Sequence, residues 1–363
     1  MENNRNYFVA ILLSVLVLVA WQFLYVSPKI ERERVAAEAL QAQQAAQAPT
    51  DNTATPGGVS GSAPGSDVAI PGTTTQAAGL TREETVAQTG RITIDTPSVQ
   101  GSINLTGARI DDLLLKEYRQ TIDPTSPNIT LFSPAAMADG YFAEVGFIAE
   151  AEAGPAPGPN TIWNAAAGQT LTPAMPVTLT YDNGEGLLFT RVISVDEHYL
   201  FSFEDTIANS GDAAASVAGY GRVTRFFKPK TQGIYVLHEG LIGVVGEDGL
   251  QEVDYSDVED TPVIAHAKAT AGWMGITDKY WAAALIPPQG AGFETRFAHF
   301  TDGRARYQSD FKTDTMAIAP GGSVTSKTLV FAGAKEVPVI EGYQTQFDIL
   351  NFDLMIDWGW FYF

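Results

Sequence analysis

The chain has 363 residues, with 42 acidic against 22 basic side chains, a formal net charge of −20 and no cysteine. The acidic excess excludes a nucleic-acid binder, which needs a basic face against phosphate, and the missing cysteines exclude disulfides, thiolate metal sites, a Cys nucleophile and a lipid-modified N-terminal Cys. Hydrophobic residues at 45% and aromatics at 10% supply a core and exclude global disorder.

After a short polar N-terminus (1–6), Tyr7 to Val26 form an uncharged run of 20 in which only Ser14 and Gln22 are polar. About 20 residues of helix cross the roughly 30 Å hydrocarbon core of a bilayer, and a single span can only be helical because its backbone must satisfy itself. The run therefore predicts a transmembrane helix over 7–26, with Trp21 and Tyr25 at the membrane interface, where amphipathic rings are favoured. A cleaved signal peptide would have a shorter apolar region ending in small residues; here Ser27-Pro28-Lys29 leads directly into Glu31, Arg32, Glu33 and Arg34, which favours an uncleaved signal-anchor. Lys29, Arg32 and Arg34 outnumber Arg5, so a bare count of basic residues places the C-terminal side in the cytoplasm, although long domains translocate largely regardless of charge.

Residues 27–90 read as a flexible linker. From Ala36 to Gly79 there is no aromatic residue and no Lys or Arg, and an Ala/Gln stretch gives way to Pro, Gly, Ser and Thr. Such composition buries too little apolar surface to offset the entropy lost on ordering.

Between residues 91 and 334 short strands alternate with turn residues. Tyr199, Phe201 and Phe203 alternate with Leu200, Ser202 and Glu204, and Tyr307 and Phe311 with Arg306, Gln308 and Asp310; a period of two marks strands with one buried face. Asp182-Asn183-Gly184, Glu247-Asp248-Gly249 and Thr301-Asp302-Gly303 carry hairpin-turn chemistry. Further strands are expected at Tyr141–Ala149, Gly186–Val195, Gly233–Gly246, Lys279–Ile286 and Ser323–Phe331. With no helix-length period in this stretch, the fold class is all-β, a single large antiparallel β-sandwich.

Four histidines, His198, His238, His266 and His299, raise the question of catalysis. His238-Glu239 is the most suggestive pair, yet adjacent strand residues point to opposite faces and would not share an acid–base site. No metal-ligand spacing occurs, and the glycines of Gly240–Gly246 lie in a strand pattern with no helix after them, unlike a phosphate loop. No catalytic, cofactor-binding or metal residues are assigned, and no cofactor.

Residues 335–363 change period. Tyr343, Phe347, Leu350, Leu354 and Trp358 recur at spacings of four, three, four and four, one face of an amphipathic helix. The bland reading is a helix closing the sandwich. The ending Asp357-Trp358-Gly359-Trp360-Phe361-Tyr362-Phe363 suits a membrane interface, so this stripe with Trp360 is assigned to it, and the natural protein is expected to continue past Phe363 into a membrane segment.

These residues resemble the N-terminal part of the bacterial YidC family of membrane protein insertases over essentially the whole chain. The resemblance lies in Arg5-Asn6 before the anchor, Trp21-Gln22 near its end, Gly107–Ile110, Leu113–Tyr118, Tyr141–Phe147, Leu237–Gly243, Gly272–Trp281, Phe352-Asp353 and Asp357–Trp360. It implies a multi-pass protein of the bacterial inner membrane with a cytoplasmic N-terminus and a periplasmic super-sandwich. Residues 335–363 would then be an interfacial helix and the truncated start of the membrane core. It further implies a non-enzymatic insertase that handles nascent membrane proteins in the lipid bilayer, alone or with the Sec translocon, through a polar groove whose Arg would lie beyond Phe363. The alternative is a membrane-anchored periplasmic carbohydrate-binding or mutarotase-like sandwich, and a fold shared with sugar binders does not confer sugar chemistry.

Residues 1–35 hold four basic and three acidic side chains, which leaves −21 for residues 36–363. A negative domain suits the outer side of an inner membrane, where the membrane potential favours negative charge. A reporter enzyme fused near residue 200 should be active in the periplasm; activity confined to the cytoplasm would reverse this orientation.

Overall fold

The computed structural model describes residues 80–150, 153–229 and 237–357. The expected span Tyr7–Val26, with Trp21 and Tyr25, lies outside them; no helix among the described residues is long and apolar enough to cross a membrane.

Two sheets make up the domain, as the alternating pattern requires. The larger, of eleven strands, runs Val263–Ala265, Phe293–Phe300, Arg306–Thr313, Ala215–Arg225, Tyr141–Ala149, Arg109–Arg119, Val99–Asn104, Arg91–Asp95 and Thr170–Leu171, with Asn128–Phe132 and Met316–Ile318 pairing beside this path. The second has nine strands: Gly249–Val253, Gly240–Val245, Gly272–Thr277, Trp281–Ile286, Ser323–Ala334, Leu200–Asn209, Leu187–Val195, Val177–Asp182 and Asn164–Ala165. Pairing is antiparallel throughout both, except where Arg91–Asp95 lies parallel to Thr170–Leu171. The fold is the expected large antiparallel sandwich, and the core fills the space between the inner faces. Phe201, Phe203, Phe189 and Ile193 from one sheet and Val145, Phe147, Val223 and Phe311 from the other are buried there. The Phe147 and Phe189 rings meet across the layers at 5.5 Å.

All three expected hairpin turns form. Asn183 Oδ1 accepts the N–H groups of Glu185 and Leu187, while Gly184, Gly249 and Gly303 take the positive φ values that L side chains avoid.

Three expectations change in the structure. The linker was carried to residue 90, but Arg82–Val86 form a helix. Thr81 caps it by accepting from Glu84 N–H while the Glu84 carboxylate accepts from Thr81 N–H, and Arg82 pairs with Asp112 of the larger sheet. A short helix, Tyr255–Asp260, interrupts the all-strand reading because Tyr255 and Val258 bury one side of it. The strand Arg306–Thr313 does not have one polar, solvated face. Arg306, Gln308 and Asp310 are buried as fully as Tyr307 and Phe311, since the outer face of the larger sheet carries its own buried charge network.

One ion pair lies inside the apolar layer. Arg191 is fully buried, and its fork donates to both oxygens of Asp205 on the neighbouring strand, Nε to Oδ1 at 2.7 Å and Nη2 to Oδ2 at 3.0 Å. Its third arm, Nη1, crosses the core to the Val145 carbonyl at 2.8 Å, and the guanidinium lies 4.7 Å from the Trp163 ring. Burial pushes the Asp205 carboxyl above its ordinary range, more than Arg191 draws it down. Removing one partner of a buried pair costs about 3–5 kcal/mol. Arg191→Leu should therefore lower the Tm sharply, and Asp205→Leu added to it should restore part of the loss; an unchanged Tm in the single variant would show that the pair is dispensable.

Candidate functional site

Two places among the described residues of the domain gather polar chemistry. The first is a row of side chains across the outer face of the larger sheet. Pairing registers align Arg91 with Asn104, Asn104 with Arg109, Glu144 with Arg222, Arg222 with Asp310, and Asp310 with Arg296. Because residues directly opposite on adjacent strands share a face, the charges from Arg109 through Glu144, Arg222 and Asp310 to Arg296 meet in alternating sign. Glu144 accepts from Arg109 Nη2 at 2.6 Å and from the Tyr220 hydroxyl at 2.8 Å, and Arg222 lies 3.1 Å away. Arg296 Nε donates to Asp310 at 2.8 Å, and Gln308 donates to the other oxygen at 2.6 Å. The Arg109 guanidinium stacks 4.3 Å from the Phe142 ring centre.

Burial alone would raise the Glu144 carboxyl, but Arg222 and Arg109 overcome it and hold it down at about 2. At Asp310 burial wins, and its carboxyl rises despite Arg296. A carboxylate held by three donors is a poor proton acceptor. The row therefore stiffens the sheet and presents no poised acid or base.

The histidines do not form a centre either. His238 Nε2 lies 2.9 Å from the Leu241 carbonyl, whereas Glu239 accepts the Lys279 N–H, so the adjacent pair serves separate partners. His299 stacks on Tyr307 at 4.8 Å, and His266 packs edge-on to Phe297, where burial lowers its proton affinity. Among the described residues no group of three or more His, Asp or Glu side chains could hold a metal ion.

The second place is the junction where the sandwich passes to the C-terminal segment. Strand Ser323–Ala334 is followed by Lys335-Glu336 and then by the helix Val337–Phe347, with Pro338 in its first turn, where a missing N–H does no harm. Gly333 leaves room for the Tyr199 ring, because a Cβ there would lie 2.1 Å from Tyr199 Cγ. Tyr199 in turn donates its hydroxyl to Glu336 Oε1 at 2.7 Å, and Tyr118 donates to the same oxygen at 3.1 Å.

The expected stripe divides here. Tyr343 is only 4% exposed; its hydroxyl donates to Asp196 and accepts the Tyr199 N–H at 3.1 Å. Phe347, Leu350 and Leu354 are partly buried against the same core. The helix does not continue as one amphipathic rod: Asp348 and Asn351 adopt left-handed φ values of 50° and 47°, and a 3₁₀ turn at Phe352–Met355 follows. Those two reversals let Phe352 enter between Trp273 at 5.4 Å and Phe331 at 5.8 Å, and let Trp273 Nε1 donate to the Leu350 carbonyl at 3.1 Å. Asp357 accepts the His238 N–H at 2.8 Å. Trp358 and Trp360 lie outside the described residues. The stripe thus faces the sandwich as far as it is described.

Beside this junction is a cleft of about 400 Å³, lined by residues that include Tyr118, Lys279, Tyr280, Trp281, Lys335 and Glu336. Lys335 Nζ donates to Thr277 Oγ1 at 2.9 Å. Burial pushes the Lys335 ammonium down to about 8, against the pull of Asp278, Asp357 and Glu239. Tyr118 and Tyr280 each meet the Trp281 ring edge-on at 5.7 Å, with interplanar angles of 71° and 62°. The sequence reading passed over this cleft, because its lining comes from four separate parts of the chain.

Residues 91–363 match the family model described as the YidC periplasmic domain. The chain is 58% identical over its full length to the membrane protein insertase YidC of Rhizobium meliloti and 51% identical to that of Mesorhizobium japonicum, covering 60% of each. It thus spans about 60% of the length of these curated relatives. A solved galactose mutarotase-like protein from Lactobacillus casei is 11% identical, with a TM-score of 0.45 over 67% of this chain and all of the other; a likeness of that degree says nothing about sugar chemistry here.

The low proton affinity set by Arg222 and Arg109 makes Glu144 a pH-dependent brace. Its stabilisation is present above its ordinary value near 4.5 and is lost as pH falls towards 2, for a total of about 3 kcal/mol. In urea denaturation the stability gap between the native protein and Glu144→Gln should be wide at neutral pH and narrow in strong acid. A gap independent of pH would show that the carboxylate is not ionised in this network.

Proposed function

Because the chain belongs to the YidC periplasmic-domain family, we propose that it is the anchor and periplasmic portion of an inner-membrane insertase. The whole protein inserts and helps fold nascent membrane proteins in the bilayer, alone or beside the Sec translocon. The observation that carries this reading is full-length identity of 58% to a protein named as such an insertase. The sandwich itself performs no covalent chemistry: its most concentrated charges are consumed in pairs with one another, as at Glu144 and Asp310. Its role is that of a folded mount beside the insertion machinery.

The junction supports this role. From Tyr343 to Asp357 the chain is tied to the sandwich by the Tyr343–Asp196, Trp273–Leu350 and His238–Asp357 hydrogen bonds. The described part of the segment is therefore held to the domain up to Asp357. Trp358 and Trp360, with Trp21 and Tyr25, are assigned to the headgroup region on their sequence character. Phe347, Leu350 and Leu354 would meet the bilayer only with the surface that the core leaves uncovered.

Reconstituted into vesicles, the full-length protein should convert an added single-span substrate into a protease-protected form. Deleting most of residues 91–334 while keeping 341–363 should leave much of that activity. No gain over empty vesicles would sink the insertase reading, and complete loss on deletion would give the sandwich a direct part in insertion.

A further inference from the structure

Two large side chains stand exposed at turn tips beside the junction: Ile122, at 106%, and Tyr280, at 58%. Ile122 lies in the turn that joins strands Arg109–Arg119 and Asn128–Phe132, just past Tyr118. That turn is held from within. Asp123 Oδ1 accepts the Thr125 N–H at 2.8 Å, Gln120 N–H donates to the Pro127 carbonyl at 3.0 Å, and Arg119 Nη1 donates to the Ser126 carbonyl at 2.8 Å. A β-branched apolar residue has no local part in such a turn, whose geometry comes from Asp, Pro and Ser. Tyr280 lies in the turn between Gly272–Thr277 and Trp281–Ile286, and its carbonyl accepts the Lys335 N–H at 2.9 Å. Both turns share one end of the sandwich, since the Tyr118 and Tyr280 rings each meet Trp281 at 5.7 Å.

What these tips face follows from the chain beside them. Ile356 and Asp357 line the same cleft as Tyr118 and Tyr280. Trp358 is next in sequence, and consecutive Cα atoms are about 3.8 Å apart. With Trp358 and Trp360 at headgroup level, the rim of this cleft stands against the bilayer. The tips have the matching chemistry: an isoleucine that the sandwich leaves uncovered, a tyrosine with an apolar ring and a polar end, and Lys279, whose Nζ lies 5.0 Å from the centre of that ring. Charge does not supply the attraction. Arg119 and Lys279 stand among Glu117, Asp123 and Asp278, so basic residues do not outnumber acidic ones there, and anionic headgroups are not selected.

We propose that the turns carrying Ile122 and Tyr280 rest in the headgroup layer, so that the sandwich itself stands on the lipid surface by this end. The contact is apolar and aromatic and needs no anionic lipid. It rests on the assignment of Trp358 and Trp360 to the membrane interface.

The chain has no cysteine, so single-cysteine variants carry a probe at one chosen position. Ile122→Cys, Tyr280→Cys and Leu188→Cys are each labelled with an environment-sensitive fluorophore. The full chain is then reconstituted in vesicles of phosphatidylcholine and phosphatidylethanolamine that contain a lipid spin-labelled at its headgroup. Leu188 is the control: it is 42% exposed, and on strand Leu187–Val195 it lies away from Asp196, which binds Tyr343 at the junction. At about 3.3 Å per residue, roughly 25 Å of strand separates it from that end. A blue shift and quenching are expected at 122 and 280, with neither at 188. Adding Ile122→Asp to Tyr280→Cys should reduce the quenching at 280. The proposal is overturned by unquenched probes at 122 and 280, by equal quenching at 188, or by cross-linking of Ile122→Cys between two copies without quenching by lipid. A probe at Trp360→Cys separates the two readings. Quenching there with unquenched tips overturns this inference and leaves the interface assignment standing, whereas unquenched probes at all three sites sink both.

Discussion

The layers are tied by side chains that reach from one sheet into the backbone of the other, and the most deeply buried of them is Arg191; Tyr141 and Asn209 also cross, to the Ile276 and Ile318 carbonyls. The strands Tyr141–Ala149 and Arg109–Arg119 pair only at Ile110 and Ala143, so the larger sheet opens beyond that point. Backbone carbonyls in an apolar interior need partners. Arg191 supplies one to Val145 while Asp205 neutralises it, and Trp163, Phe147 and Phe203 pack around the guanidinium. Lysine could not do this, because it lacks the planar fork that serves a carboxylate and a carbonyl together. A buried pair of this kind gains little over a well-packed apolar core, so its value lies in specifying where the layers meet.

The charged row on the outer face follows the same logic with a different result. Arg109, Glu144, Arg222, Asp310 and Arg296 stand on adjacent strands, each carboxylate between guanidinium groups, and Tyr220 and Gln308 complete their hydrogen bonds. Such a network is polar and buried and could be mistaken for a catalytic centre. What disqualifies it is saturation: each carboxylate already holds its donors. The cleft beside the junction differs in that its lining comes from separate parts of the chain and includes the aromatic rings of Tyr118, Tyr280 and Trp281.

The C-terminal segment acts as a seam. Tyr343, Phe352 and Met355 are buried, and rings from Trp273, Phe331 and Phe352 interlock at interplanar angles near 90°. The left-handed residues Asp348 and Asn351 make this possible by turning the chain twice within a few residues. A continuous helix would have carried Leu350 and Leu354 along one line. The two reversals instead wrap the segment around the end of the second sheet.

How much of this was legible depends on how local each cause is. The period of two at Phe201 and Phe203 and the turn residues at Gly184, Gly249 and Gly303 are local properties; they determined an all-β sandwich and its hairpins from the sequence by itself. The Thr81–Glu84 capping box was also present in the sequence, but the linker composition around it hid it. Tyr343, Phe347, Leu350 and Leu354 showed an apolar stripe, yet a stripe does not say whether a sandwich or a bilayer covers it, since both offer apolar surface. Only the tertiary structure decided how much of that stripe the sandwich covers, together with the burial of Asp310, the reach of Arg191 to Val145, and the meeting of Tyr118, Trp281 and Lys335 around one cleft. Each of those depends on contacts between residues far apart in the chain, which a local pattern does not encode.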